Sequence, residues 1–134
     1  MGKDLNVNNF PVLKEGTQTL FAALTASVTE PNTPSINMIG ARCGSLDVTI
    51  NSGTGTISFA LYTSETGLAG SYKASFTVPY GVSNATPIQV PAIVTTASTS
   101  ASYEVTGLNS KYIKFVPNVS GTVNATILFT PAVP

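Results

Sequence analysis

Six carboxylates, one thiol, three Asn-X-Ser/Thr sequons and a Gly-Thr-Gly triplet are the residues of this 134-residue chain whose types could support chemistry. Asp4, Glu15, Glu30, Asp47, Glu65 and Glu104 stand at least eleven positions apart, so no local pair supplies the acid and base of glycoside hydrolysis. Histidine is absent, which removes the commonest general base and the commonest metal ligand. With a single Cys, no zinc ligand set can be assembled either, and Cys43 reads as a small buried apolar side chain rather than a reactive thiol. Gly53-Thr54-Gly55 resembles the start of a phosphate loop, but no helix or lysine completes it, so a turn between strands is expected. The sequons at Asn84, Asn118 and Asn124 are what a Ser- and Thr-rich chain contains by chance. The expectation is a chain with no catalytic residues, no metal and no cofactor. Tyr62, Tyr80 and Tyr112 are candidates for exposed aromatic contacts of the kind that stack on a sugar, although the chain has no Trp, the best stacking surface.

The elements that would carry such contacts follow from composition. Hydrophobic residues make up 43% of the chain, an ordinary share, but charged residues only 9%, where about 25% is usual. Hydroxyls take their place, with 19 Thr and 14 Ser, and β-branched Thr suits a pleated surface. Six basic and six acidic residues cancel and are scattered singly. No basic stripe exists to neutralise phosphates, so nucleic-acid binding is not expected. No stretch approaches the roughly 20 apolar residues of a membrane span, and no apolar run near Met1 serves as a signal peptide, so synthesis in a cytoplasm is expected. The single Cys agrees with a reducing folding compartment.

Residues 1 to 16 mix Asn with apolar residues at no sustained period and read as an extended arm, with Leu5, Val7, Phe10, Val12 and Leu13 as its candidate docking contacts. Residues 17 to 134 read as one domain. From Thr17 to Thr29, Leu20, Ala22, Leu24, Ala26 and Val28 alternate with other residues as in a long strand, which Pro31 and Pro34 then break. Leu46, Val48 and Ile50, a turn at Asn51 to Gly55, and Ile57, Phe59 and Leu61 predict a hairpin. A second hairpin is predicted from Lys111 to Val116, a turn at Pro117 to Gly121, and Thr122 to Thr130, with Ile113, Phe115, Val123, Ala125, Ile127 and Phe129 facing a core. Asn51-Ser52-Gly53-Thr54 and Val119-Ser120-Gly121-Thr122 echo one another and suggest similar hairpins in two halves of one sandwich. Tyr72 to Val78 and Tyr103 to Val105 are further strands, and Ala85 to Thr96, interrupted by Pro87 and Pro91, reads as an edge strand. Eight or nine strands and no required helix predict an all-β antiparallel β-sandwich, a jelly roll or a Greek key.

Residues 44 to 63 and 102 to 130 also carry a likeness. Gly53-Thr54-Gly55-Thr56-Ile57-Ser58-Phe59-Ala60-Leu61-Tyr62-Thr63-Ser64, then Lys111-Tyr112-Ile113-Lys114-Phe115 and Gly121-Thr122-Val123-Asn124-Ala125-Thr126-Ile127, resemble small β-sandwich cement or decoration proteins of tailed bacteriophages. The resemblance covers about two-thirds of the chain. It implies a virion protein on the capsid exterior that bridges coat subunits, with the major capsid protein as partner, no catalysis, and a homo-oligomer, a trimer by analogy. The Asn-rich arm and the segment 79 to 91 depart from that pattern. The other expectation for such a sandwich is a carbohydrate- or host-surface-binding module of a phage fibre or baseplate.

Overall fold

The computed structural model describes residues 13–14, 16–77, 88–89, 93–96 and 100–133. Their strands in chain order are β1 (Leu13–Lys14), β2 (Gln18–Leu24), β3 (Ile36–Asn37), β4 (Cys43–Gly53), β5 (Thr56–Ser64), β6 (Lys73–Ala74), β7 (Phe76–Thr77), β8 (Ile88–Gln89), β9 (Ile93–Thr96), β10 (Ala101–Val105), β11 (Tyr112–Ser120) and β12 (Val123–Val133). A single 3-10 turn at Glu30–Asn32 follows Pro-rich sequence, and there is no α-helix among the described residues. One five-stranded sheet joins β12 to β1 and β2 on one side and to β4 and then β10 on the other. The second five-stranded sheet joins β11 to β3 on one side and to β5 on the other, with β6 and β9 sharing the far side of β5. All pairings are antiparallel. The chain is an all-β antiparallel sandwich of the jelly-roll or Greek-key kind.

Both expected hairpins are overturned by the pairing. β4 and β5 lie in different sheets, and so do β11 and β12. Instead β4 pairs with β12, from Cys43↔Ala132 to Gly53↔Val123, and β5 pairs with β11, from Thr56↔Ser120 to Ser64↔Tyr112. Residues 43–64 and 112–132 therefore form one long antiparallel ribbon, folded across its middle so that each half contributes to a different sheet. The sequence echo at Gly53 and Gly121 is the pair of corners where the ribbon folds. Period-two alternation reports which side chains face inward, and it does not report whether the next strand continues in the same sheet.

Glycine makes the corners possible. The Thr54 and Gly55 N–H groups both donate to the Thr122 carbonyl, at 2.9 and 2.8 Å, which ties one corner onto the other. A Cβ on Gly55 would come within 2.2 Å of the Ser120 carbonyl oxygen. Gly53 has φ of +114°, which side-chain-bearing residues rarely adopt, and a Cβ there would meet the Thr122 carbonyl oxygen at 2.2 Å. Beside the corner, Asn51 is an extra residue in β4 opposite the Asn124/Ala125 step, and its side-chain amide donates to Asn124 Oδ1 and Thr126 Oγ1, both at 3.2 Å.

The inward residues behave as expected. Ile113 and Phe115 of β11 and Val123, Ala125, Ile127 and Phe129 of β12 are all buried, together with Leu46, Val48, Ile57, Phe59 and Leu61. The Phe115 and Phe129 rings, one from each sheet, meet at 5.3 Å between centroids, so both inner faces close on one core. β2 departs from expectation. It ends at Leu24 rather than running to Thr29, and two register shifts against β12 put Leu20 and Leu24 inside while Ala22 is exposed. The Ala22 carbonyl is free to accept from Thr126 Oγ1 at 2.9 Å. The short strand at Tyr103 to Val105 is real, but it pairs with β4 and does not turn into β11 as a neighbour. Of the expected edge strand at 85 to 96, Ile93–Thr96 pairs with β5; Pro79, Pro87 and Pro91 lie outside the described residues.

Candidate functional site

The sequence-derived contact residues fall in three places. Of the arm, Leu5, Val7, Phe10 and Val12 lie outside the described residues. Leu13 belongs to β1, whose backbone pairs with Val133 and Ala132, so the last part of the expected arm is a strand of the sandwich. Tyr80 lies outside the described residues, whereas Tyr62 and Tyr112 come together on the outer face of the second sheet. In that sheet Tyr62 stands opposite Lys114 and Tyr112 opposite Ser64, and directly opposite residues share a face. Ile113, Phe115 and Leu61 point to the other side, into the core. Neither tyrosine is fully exposed. The Tyr112 ring lies against Gly67, where an added Cβ would sit 3.2 Å from three ring carbons.

Between these tyrosines the structure places a cluster that strand periodicity alone does not reveal. Residues 27–38 run along the free side of β11. Val28 N–H donates to the Pro117 carbonyl at 3.2 Å, Ser27 Oγ accepts from Val119 N–H at 2.8 Å, and Ile36 pairs with Ile113. The 3-10 turn interrupts this track and swings Glu30 over the outward face. There Lys114 Nζ donates to Glu30 Oε2 at 2.7 Å and to the Glu30 carbonyl at 2.9 Å. The same ammonium sits 4.3 Å from the centroid of the Tyr72 ring, and Tyr72 OH is hydrogen-bonded to Ser35 Oγ. Lys114 is only 7% exposed and Tyr72 8%, so an outward strand position has become interior. The pairing partners are 84 residues apart, and no local signal in the sequence marks them.

Cys43 is half-buried, which corrects the expectation of a buried side chain. It borders a recess of about 190 Å³ with Ser45, Glu104, Thr106 and Ala132, and its thiol donates to the Ala132 carbonyl at 3.4 Å. Among the described residues no three His, Cys, Asp or Glu side chains gather as metal ligands would.

A separate feature, lined by none of the sequence-derived contact residues, lies at the end of the sandwich opposite the ribbon's corners, where β4 and β11 begin and β5 and β12 end. Leu108 N–H donates to the Arg42 carbonyl at 3.0 Å and Met38 N–H to the Lys111 carbonyl at 2.9 Å, which clamps two connecting segments together. Between them Gly40, Ala41, Arg42, Asn109, Ser110 and Lys111 line a cleft of about 150 Å³. Ile39, the residue before Gly40 of that lining, is 70% exposed and has φ of 51°. Leu68, 67% exposed, follows the glycine that holds the Tyr112 ring. Neither Ile39 nor Arg42 had been singled out by sequence pattern, because a β-branched residue in left-handed backbone has no signature of its own.

Comparison of the chain with protein-family models, with curated proteins and with solved structures finds no match.

Proposed function

We propose that this chain is a virion structural protein that decorates and cements the exterior of a tailed-bacteriophage capsid through contacts with the major capsid protein. The observation that carries the reading is where the resemblance falls. The stretches 44–63 and 102–130 that resemble decoration proteins coincide with β4, β5, β10, β11 and β12, the folded ribbon and its neighbour that set the fold. A rigid sandwich with few charges suits such a role, since docking then strips water from few ionised groups. In this reading residues 1–12, with Leu5, Val7, Phe10 and Val12, are the docking arm, entering the sandwich where Leu13 pairs with Val133. A homo-oligomer, a trimer by the same analogy, would sit at a local symmetry axis.

The test first identifies the neighbouring reading frames, one of which is expected to encode a coat protein, and then sediments this chain with empty shells assembled from that coat protein. The full chain is expected to pellet with the shells to a saturating ratio, and deletion of residues 2–12 to weaken that ratio. A chain that stays in the supernatant contradicts the proposal. One observation favours a second reading, a carbohydrate-binding module: Tyr62 and Tyr112 share an outer face. That reading predicts glycan-array binding that Tyr62→Ala abolishes.

A further inference from the structure

We infer that the cleft between Arg42 and Lys111 is a docking site for an acidic protein segment that carries an apolar residue beside its carboxylates. The inference stands on the geometry of this end of the sandwich and does not use the capsid reading.

Three observations converge on it. The first is the disposition of charge. Lys114 is neutralised by Glu30, and Lys73 lines a shallow recess together with Glu65. Arg42 and Lys111 instead share a cleft whose lining includes no carboxylate, and the other polar side chains there are Asn109 and Ser110, both able to donate hydrogen bonds. A guanidinium, an ammonium, an amide and a hydroxyl around one small cleft present the donor set of an oxyanion site, with the planar guanidinium matched to a bidentate carboxylate.

The second is rigidity. The carbonyls of Arg42 and Lys111 are both engaged, by Leu108 N–H and Met38 N–H, and Ala41 N–H donates to the Met38 carbonyl at 2.8 Å. Leu108 and Met38 are themselves buried. The backbones that carry the two cations are thus pinned to the core, so less ordering remains to be done on binding.

The third distinguishes a polypeptide from a small anion. Ile39 adopts left-handed backbone, a conformation that costs a β-branched residue free energy, and yet its side chain is exposed rather than packed. Its N–H donates to Asn37 Oδ1 at 3.0 Å, which holds the strained turn in place. Gly40, the next residue, lines the cleft. An isolated phosphate would use the cations and leave Ile39 in water; a peptide whose carboxylate enters the cleft can cover Ile39 with a neighbouring apolar side chain. Tyr112 and Leu68 stand at the same end of the sandwich, Tyr112 opposite Asn37 by register and against Gly67, and Leu68 exposed after that glycine.

The experiment pans a displayed library of random linear peptides against the full chain and then titrates the enriched peptides into the isotopically labelled chain, followed by amide NMR shifts. The expected result is enrichment of Asp or Glu next to aliphatic or aromatic residues, with shifts concentrated at residues 38–42 and 108–112. Arg42→Glu with Lys111→Glu is expected to weaken binding about tenfold or more, as loss of a charge-assisted hydrogen bond implies, with the melting temperature showing that the variant remains folded. Ile39→Gly, which removes the strain, is expected to raise the melting temperature and still weaken the peptide. Enriched peptides without carboxylates, shifts elsewhere, or binding unaffected by the double charge reversal overturn the inference. So does saturation of the same amides by inorganic phosphate with no gain from any peptide. If deleting residues 2–12 alone moves those amides, the chain's own arm fills the cleft and the inference fails.

Discussion

Lys114 occupies an outward position of β11, yet Glu30, the Glu30 carbonyl and the Tyr72 ring close around its ammonium. Its alkyl stem crosses the sheet surface while the head replaces water with three partners. Removing one member of such a pair leaves the other charge without compensation, which is more costly than replacing both. Lys114→Ala is therefore expected to lower unfolding free energy by about 3 kcal/mol in urea titrations. Lys114→Met combined with Glu30→Gln should recover most of that loss. A double variant as unstable as the single one would mean that the 3-10 turn depends on the ion pair itself. Ile39 is the opposite case, a residue whose conformation works against stability. Ile39→Gly is expected to stabilise the chain by about 1 kcal/mol, since left-handed backbone costs a β-branched residue on that order, although glycine's larger unfolded-state entropy offsets part of the gain.

The ribbon's corners are the elements on which the topology turns. Gly55→Ala would drive a methyl into the Ser120 carbonyl and is expected to cost about 2 to 3 kcal/mol, the range of severe overpacking. Gly16→Ala, where an added methyl meets nothing within 4 Å, should change stability by less than about 0.5 kcal/mol and serves as the control. Equal effects at the two sites would contradict stacked corners. The same elements mark how far sequence could be read. Ile57, Phe59 and Leu61, and Val123, Ala125, Ile127 and Phe129, announced both strand and inward face, because burial of one face of a pleated strand imposes period two. The partner of each strand was not announced: a glycine turn joins two arms whether they stay in one sheet or cross to the other. Ala22 misled for a different reason, since bulges against β12 turn it outward between the buried Leu20 and Leu24 and leave no mark in the residue pattern. Of the candidate contacts, Tyr62 and Tyr112 lie half-buried on one outer face, but the pairing of Glu30 with Lys114 and the cleft at Arg42 and Lys111 arise only once segments distant in sequence are brought together.

At the scale of the whole molecule, a chain with no net charge keeps four of its cations in three distinct settings: Lys114 paired in the interior, Lys73 beside a carboxylate on the surface, and Arg42 and Lys111 together at the end opposite the corners. The first described strand, β1, lies at that same end, because it pairs antiparallel with the last residues of β12. A decorating protein needs its contacts gathered on one pole, with the other free to point outward, and this arrangement is compatible with that demand. Salt dependence follows from it: if exposed cations contribute to docking, shell binding should weaken when ionic strength rises from about 0.05 to 0.5 M, as screening of surface charges shortens its range. Salt-independent pelleting would assign the contact to apolar residues alone. The central claim, that the chain decorates a capsid, is tested most directly by electron cryomicroscopy of coat shells with and without the purified protein. The account predicts added β-sandwich density on the outer surface at repeated lattice positions, with the end bearing Arg42, Lys111 and Leu13 facing the shell. Shells that remain bare at saturating protein would contradict it.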